Sequence, residues 1–238
     1  MFLSSKRVSF LVIMTVIAVS MVFAQNQTSR RDMTVEESYL QESIEMMIIR
    51  ETARANTREQ KMIALEYIAD SIDRGNTNPE IAQTLGFLSM EGRMIQSREN
   101  GRLVNNFPEV RRQAARQLGR LGTEEAVSAL LDIVRYDNEP MVLQEAIKAL
   151  GDIGVNNENN DTVRFIAHTV RHNNNTNPDN LMALATIDAF EKLAKNNNGL
   201  NSPEAVQILV LIAENYRYAT PVRERSRQAL AELRTYGR

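Results

Sequence analysis

The chain holds no cysteine and no tryptophan, only two histidines, and few aromatic residues of any kind. Without cysteine there is no disulfide staple, no thiolate zinc site and no thiol nucleophile. Stability must therefore come from buried apolar area, and with so few aromatics that area is aliphatic and alanine-rich. Neither sign of charge dominates, the formal net charge being −2. This excludes the broad basic field that nucleic-acid binding needs. The sequence also lacks a Gly-x-Ser-x-Gly elbow, a phosphate loop and a metalloprotease His-Glu pair; those are the arrangements that would point to hydrolytic or nucleotide chemistry.

Only one long apolar run is present. Lys6 and Arg7 precede the uncharged stretch Val8 to Phe23, and Val22 and Ala24 fit the −3 and −1 positions of a small-residue cleavage site. This pattern reads as a secretory leader over 1–24, cut between Ala24 and Gln25. The run is short for a membrane span, and no cysteine follows it to carry a lipid. Cleavage removes Lys6 and Arg7 and leaves the remainder more acidic. The expected location is periplasmic or secreted, with no membrane span in the mature chain.

What the rest contains is a repeat. A small residue is followed four positions later by a large apolar one in Ala64/Ile68, Ala114/Leu118, Ala146/Leu150, Thr186/Phe190 and Ser226/Leu230, at successive spacings of 50, 32, 40 and 40 residues. Around each pair lies a four-slot stripe with offsets of 4, 4 and 3, the signature of one helix face. It reads Val110, Ala114, Leu118, Leu121, then Val142, Ala146, Leu150, Ile153, then Met182, Thr186, Phe190, Leu193, then Val222, Ser226, Leu230, Leu233. The first copy, Gln60, Ala64, Ile68, Ser71, is degraded at both ends. A second apolar helix precedes each striped one, as in Ala126, Val127, Leu130, Leu131, Val134 and in Val163, Ile166, Ala167, Val170. Helix pairs recurring at this period stack side by side and bury a continuous core. The expected fold is all-α, a solenoid of about five antiparallel helix pairs. Residues 25–33 form a polar segment, 34–107 a region of degenerate copies, and 108–238 the regular ones.

Helix starts are marked by capping boxes at Thr34/Glu37 and Thr57/Gln60, and by Asn78-Pro79, Thr123, Ser202-Pro203 and Thr220-Pro221. The first helix carries Tyr39, Leu40, Ile44, Met47 and Ile48, with the pair Met46/Met47 expected in the core. Residues 92 to 107 break the period and read as an insertion between the two helices of one repeat. The asparagine clusters 156–160, 173–177 and 196–198 read as turns.

The segment Pro108-x-Val110-Arg111-x-x-Ala114-x-x-x-Leu118-Gly119-x-Leu121-Gly122 resembles the second helix of HEAT-like repeats, and in particular the short bacterial subtype named after phycobilisome lyases. Residues 139–154 follow the same pattern, and 178–195 and 221–235 follow it more weakly, without the Leu-Gly-x-Leu-Gly ending. The resemblance implies a right-handed superhelix used for protein binding, with a structural arginine at the Arg111 slot. In its leader and asparagine-rich loops the chain also is similar to HEAT-repeat proteins of the spirochete periplasm.

Two surfaces carry candidate chemistry. Arg112, Arg116 and Arg120 on one second helix, with Arg227 on the last, would project onto the concave face that the resemblance implies. Together with the insertion residues Asn100, Arg102, Asn105 and Asn106 they are the candidate partner-binding set, suited to an acidic protein surface because the guanidinium fork pairs with carboxylates. Charge reversal at Arg112 and Arg116 is expected to weaken partner capture without loss of thermal stability. His168 and His172 lie at i and i+4 with Asp161 seven residues before His168, a weak metal pattern lacking a close third ligand; the alternative is an exposed polar helix face. No cofactor is implied and no enzymatic activity is expected. The sequence favours a non-enzymatic scaffold in the periplasm or envelope, with a structural part of an envelope or motor assembly as the alternative and a bilin lyase or chaperone role as a lesser one.

Overall fold

The computed structural model describes residues 34–156, 160–200 and 202–236. The expected leader, the polar segment before residue 34, Arg238 and part of the 156–160 asparagine cluster lie outside these residues. Ten helices are found among the described residues: α1 (Val35–Arg54), α2 (Arg58–Asp73), α3 (Pro79–Ser89), α4 (Pro108–Leu121), α5 (Glu124–Tyr136), α6 (Pro140–Ile153), α7 (Asp161–Thr176), α8 (Asn180–Asn196), α9 (Pro203–Glu214) and α10 (Thr220–Tyr236). A two-stranded hairpin, β1 (Arg98–Glu99) and β2 (Arg102–Leu103), lies between α3 and α4.

The chain divides into two units, Met1–Glu45 and Met46–Arg238. Of the first, residues 34–45 are described. They form the opening turns of α1, held by a reciprocal capping box in which Thr34 N–H donates to Glu37 Oε2 (3.0 Å) and Glu37 N–H donates to Thr34 Oγ1 (3.2 Å). Val35, Tyr39, Leu40 and Ile44 are exposed there.

The second unit is the helical array. Second helices stack on one another in the order α2, α4, α6, α8, α10, and first helices stack in the order α3, α5, α7, α9. Each first helix also packs on its following second helix, so the unit has two helical layers with the core between them, an all-α solenoid. The expected stripes face that core. Val110, Ala114, Leu118, Val142, Ala146, Leu150, Met182, Thr186, Phe190, Leu193, Val222 and Ser226 are all buried, while Ile153, Leu230 and Leu233 are partly so. The small second slot is used for close contact or for internal satisfaction of a hydroxyl. Thr186 Oγ1 donates to Met182 O (2.8 Å), and Ser226 Oγ donates across to Leu209 O of α9 (2.7 Å).

Layer spacing is set at two glycines. A Cβ on Gly119 would lie 2.7 Å from Ala149 Cβ, and one on Gly151 would lie 2.6 Å from Ala189 Cα. Bare backbone therefore lets α4 approach α6, and α6 approach α8, more closely than side chains would permit. In α8 the corresponding position is Glu191, and an ion pair to α10 takes the place of that contact.

Three expectations from the sequence need correction. In α1 the pair expected in the core divides: Met46 is buried with Ile49 and Ala53, whereas Met47 is exposed, as are Tyr39, Leu40, Ile44 and Ile48. Asn173 to Thr176 is helical rather than a turn. Asn173 Nδ2 donates back to Thr169 O (3.0 Å) and Thr176 Oγ1 donates to Asn173 O (3.2 Å), so these polar side chains bond to their own helix instead of breaking it. The sequence groups Val206, Ile208, Leu209, Ile212 and Tyr216 as the apolar residues of one helix, but Val206 is exposed on α9 and Tyr216 is exposed beyond its end.

The asparagines also join neighbouring repeats. Asn197 Nδ2 donates to Gly154 O (3.1 Å), Asn215 Nδ2 to Asn174 Oδ1 (2.7 Å), and Asn180 Oδ1 accepts from Ala219 N–H (2.9 Å). The first and last of these bonds satisfy backbone groups at helix ends, Gly154 O and Ala219 N–H, and the second joins two side chains.

Candidate functional site

The second-helix layer positions the arginines singled out by the sequence. α4 starts at Pro108, whose missing N–H costs nothing at the first helical position, and ends at Gly122. With Val110, Ala114 and Leu118 turned inward, Arg112 and Arg116 are carried to the side facing α6. There both meet Glu145. Arg116 forms a two-pronged pair, Nε to Oε1 at 3.0 Å and Nη2 to Oε2 at 3.1 Å, and Arg112 Nε reaches Oε2 at 3.5 Å. Burial pushes the Glu145 carboxyl up, but the Arg116 hydrogen bonds and the charges of Arg116, Lys148 and Arg112 outweigh it and hold the group below the usual carboxylate range. Arg116 is correspondingly raised, first by its hydrogen bond to Glu145 and then by that residue's charge.

The same device recurs along the layer. Arg58 of α2 pairs with Glu109 of α4 (3.2 Å), and Asp73 of α2 pairs with Arg120. Asp152 of α6 pairs with Lys192 of α8. Asp188 and Glu191 of α8 pair with Arg225 of α10. Every neighbouring couple of second helices is thus bridged by at least one ion pair. Arg120 also donates to Gln117 Oε1 (2.8 Å). Arg227 is engaged by Glu224 and by Ala213 O (3.1 Å). The four candidate arginines are brought to one helical layer, and each already has a partner within the chain.

The insertion is built from inside. Asn105 is 5% exposed; its Nδ2 donates to Glu91 Oε1 (2.7 Å) and Ile95 O (2.8 Å), while its Oδ1 accepts from Ser97 N–H (2.8 Å). Asn106 Oδ1 accepts from Arg111 (2.8 Å). Asn100 and Arg102 are exposed at the hairpin tip, where Asn100 and Gly101 both have positive φ (49° and 79°), the geometry that a tight two-residue hairpin turn requires.

Beneath the insertion runs a buried polar chain. Lys61, 2% exposed, donates to Ala53 O (3.0 Å) and Glu91 Oε2 (3.1 Å). Arg111, fully buried, donates to Glu91 O (3.1 Å) and forms a two-pronged pair with Asp137 through Nε to Oδ2 (2.6 Å) and Nη2 to Oδ1 (3.3 Å). Asp137 Oδ1 in turn accepts from the backbone N–H groups of Asn138 and Glu139. Lys61 occupies the slot that matches Arg111, so two successive repeats place a cation at one position and an acid from the following repeat against it.

The weak metal candidates do not converge. Asp161 is paired with Arg164 (3.3 Å), and His168 opens onto a groove with Arg135, Arg164 and Arg171. His172 is exposed one turn further on. Among the described residues no group of three or more His, Asp or Glu is placed to hold a metal ion. Sequence reasoning missed the groove itself. Its residues come from three helices, although the spacing of Arg164, His168 and Arg171 along one face of α7 was a legible signal.

Residues 102–184 match the family of HEAT repeats. The matched stretch runs from β2 into α8 and covers the two second helices that carry the Leu-Gly ending. No curated protein matches the chain. No helix among the described residues is long and apolar enough to cross a membrane.

Proposed function

We propose that this HEAT-like repeat protein is a non-enzymatic scaffold that holds another protein along its helical array, acting in the periplasm or cell envelope after export. The observation that carries the reading is the two-layer stack of Met46–Arg238, together with its match to a repeat family whose members typically bind proteins without catalysing reactions. An array whose units contact only their neighbours offers extended surface at little cost in core volume. Its most concentrated ionisable residues fit a framework role, because their charges are neutralised within the chain. Export is supported by the basic start and the apolar run that precede the array in the sequence.

The test is crosslinking in the native envelope, followed by identification of what is captured. A specific protein recovered with the wild type supports the reading. Recovery of the chain alone, from both soluble and envelope fractions, counts against it. Fractionation with insoluble envelope material would favour the alternative, a permanent structural part of an envelope assembly. Charge reversal at Arg112 and Arg116 is a poor probe of binding: it would place acids against Glu145 and lower stability as well.

A further inference from the structure

The second-helix layer ties arginines to acids of neighbouring second helices, whereas Arg135 and Arg164 of the first-helix layer meet acids of their own helices. Helices α5, α7 and α9 leave an open groove of about 370 Å3 lined by Arg135, Arg164, Phe165, His168, Arg171 and Glu204. Three of its cationic or titratable side chains, Arg164, His168 and Arg171, lie at i, i+4 and i+7 on α7 and so form one stripe along the groove. The fourth, Arg135 of α5, lies over the Phe165 ring with its guanidinium carbon 3.8 Å from the ring centroid. That stacking fixes the plane of the guanidinium fork before any ligand arrives.

The counter-charges are weak. Arg135 meets Asp132 at 3.5 Å and Arg164 meets Asp161 at 3.3 Å, both exposed pairs three residues apart on a single helix. Such pairs contribute little and exchange readily for a better acceptor. Arg171 donates to a neutral amide, Gln207 Oε1 (2.9 Å). Glu204 is the one acid on the lining. Its carboxyl is held below the ordinary range by hydrogen bonds from its own backbone N–H and from the Ser202 hydroxyl, with the charges of Arg164 and Arg171 adding to the effect.

We propose that this groove binds an acidic segment of a partner protein, its carboxylates taken by Arg135, Arg164 and Arg171 and one apolar side chain resting on Phe165. The inference rests on the scaffold reading and names the surface that performs it. Charge complementarity selects the partner. The groove presents forked donors from about two turns of α7 and from α5 beside it, a spacing that suits carboxylates distributed along a peptide.

The probe is a fluorescein-labelled glutamate-rich peptide of about ten residues with one central leucine, read by fluorescence anisotropy against the full chain. Binding should be saturable, should weaken as salt is raised, and should fall by about tenfold or more in the double variant Arg164→Glu/Arg171→Glu. Arg98→Glu, on strand β1 away from the groove, should leave it unchanged. His168→Glu, a single exposed change on the same stripe, should weaken it too and guards against misfolding of the double variant. An absence of saturable binding, equal binding by both groove variants, or displacement of the peptide by millimolar inorganic phosphate at fixed ionic strength would each overturn the proposal. Envelope crosslinking separates the two readings. A partner captured equally by wild type and double variant removes the groove and leaves the scaffold standing. Peptide binding decides the groove even where no partner is captured.

Discussion

The residue that bears most on stability is Arg111. It is fully buried, and its guanidinium is shared between Asp137, Asn106 and the Glu91 carbonyl. Removing one member of such a set leaves the other charge buried without a partner. Arg111→Met is therefore expected to lower unfolding free energy by about 3–5 kcal/mol in urea titrations; a loss near zero would show that water reaches Asp137. Glu145 makes the complementary case at the edge of solvent. Because its folded pKa is lowered, its contribution is complete above the unfolded carboxylate pKa of about 4.3 and disappears as pH falls through the lowered folded value. Glu145→Gln should cost about 1 kcal/mol at neutral pH, since its arginine partners are partly exposed. In thermal melts, the gap between variant and wild type should close as pH is taken below about 4.

At the scale of the element, the glycines on the outer side of the stripes set how closely helices of the second layer pack. Gly151→Ala places a methyl carbon where Ala189 backbone already lies, so α6 and α8 must move apart. The expected cost is about 1–3 kcal/mol in denaturant unfolding, despite the better intrinsic helix propensity of alanine. Helices and stripes were legible in the sequence because each is decided within four or eleven residues: Val110, Ala114, Leu118 and Leu121 report their own face, and Thr57 or Thr123 their own cap. The pairing of Arg116 with Glu145, or of Arg58 with Glu109, was not legible. Those partners stand 29 and 51 positions apart and meet only once the stacking register is fixed. The hairpin lies between these extremes. Asn100-Gly101 signalled a tight turn, but the flanking Arg98-Glu99 and Arg102-Leu103 lack the alternation that announces strands. In α1, apolar residues occur on more than one side, and periodicity alone did not choose between them.

Across the array of Met46–Arg238, substantial packing joins each helix only to the next one or two along the chain. Local damage should therefore stay local. Native-state hydrogen exchange on Arg111→Met is expected to show lost protection in α3, α4 and α5, while amides of α8 and α9 stay close to wild type. Uniform loss throughout would mean the array unfolds as one cooperative block. The division of labour between layers belongs to this scale as well. Second helices pair charges across to the next second helix, whereas Arg135 and Arg164 of the first helices meet acids of their own helix and Arg171 meets a neutral amide, and no single repeat shows that contrast. It became readable only when α5, α7 and α9 were seen side by side.

The charged rungs between second helices have a mechanical corollary. Their attraction fades as dissolved ions crowd in, because the screening length shrinks from about 10 Å at 0.1 M salt to about 3 Å, the reach of these contacts, at 1 M, whereas the greasy seam beneath them does not weaken in the same way. Each joint then becomes slightly looser while staying closed, and small gains in play add from one joint to the next. The surrounding electrolyte would in this way tune the springiness of the stack, stiff in dilute fluid and more compliant in brine.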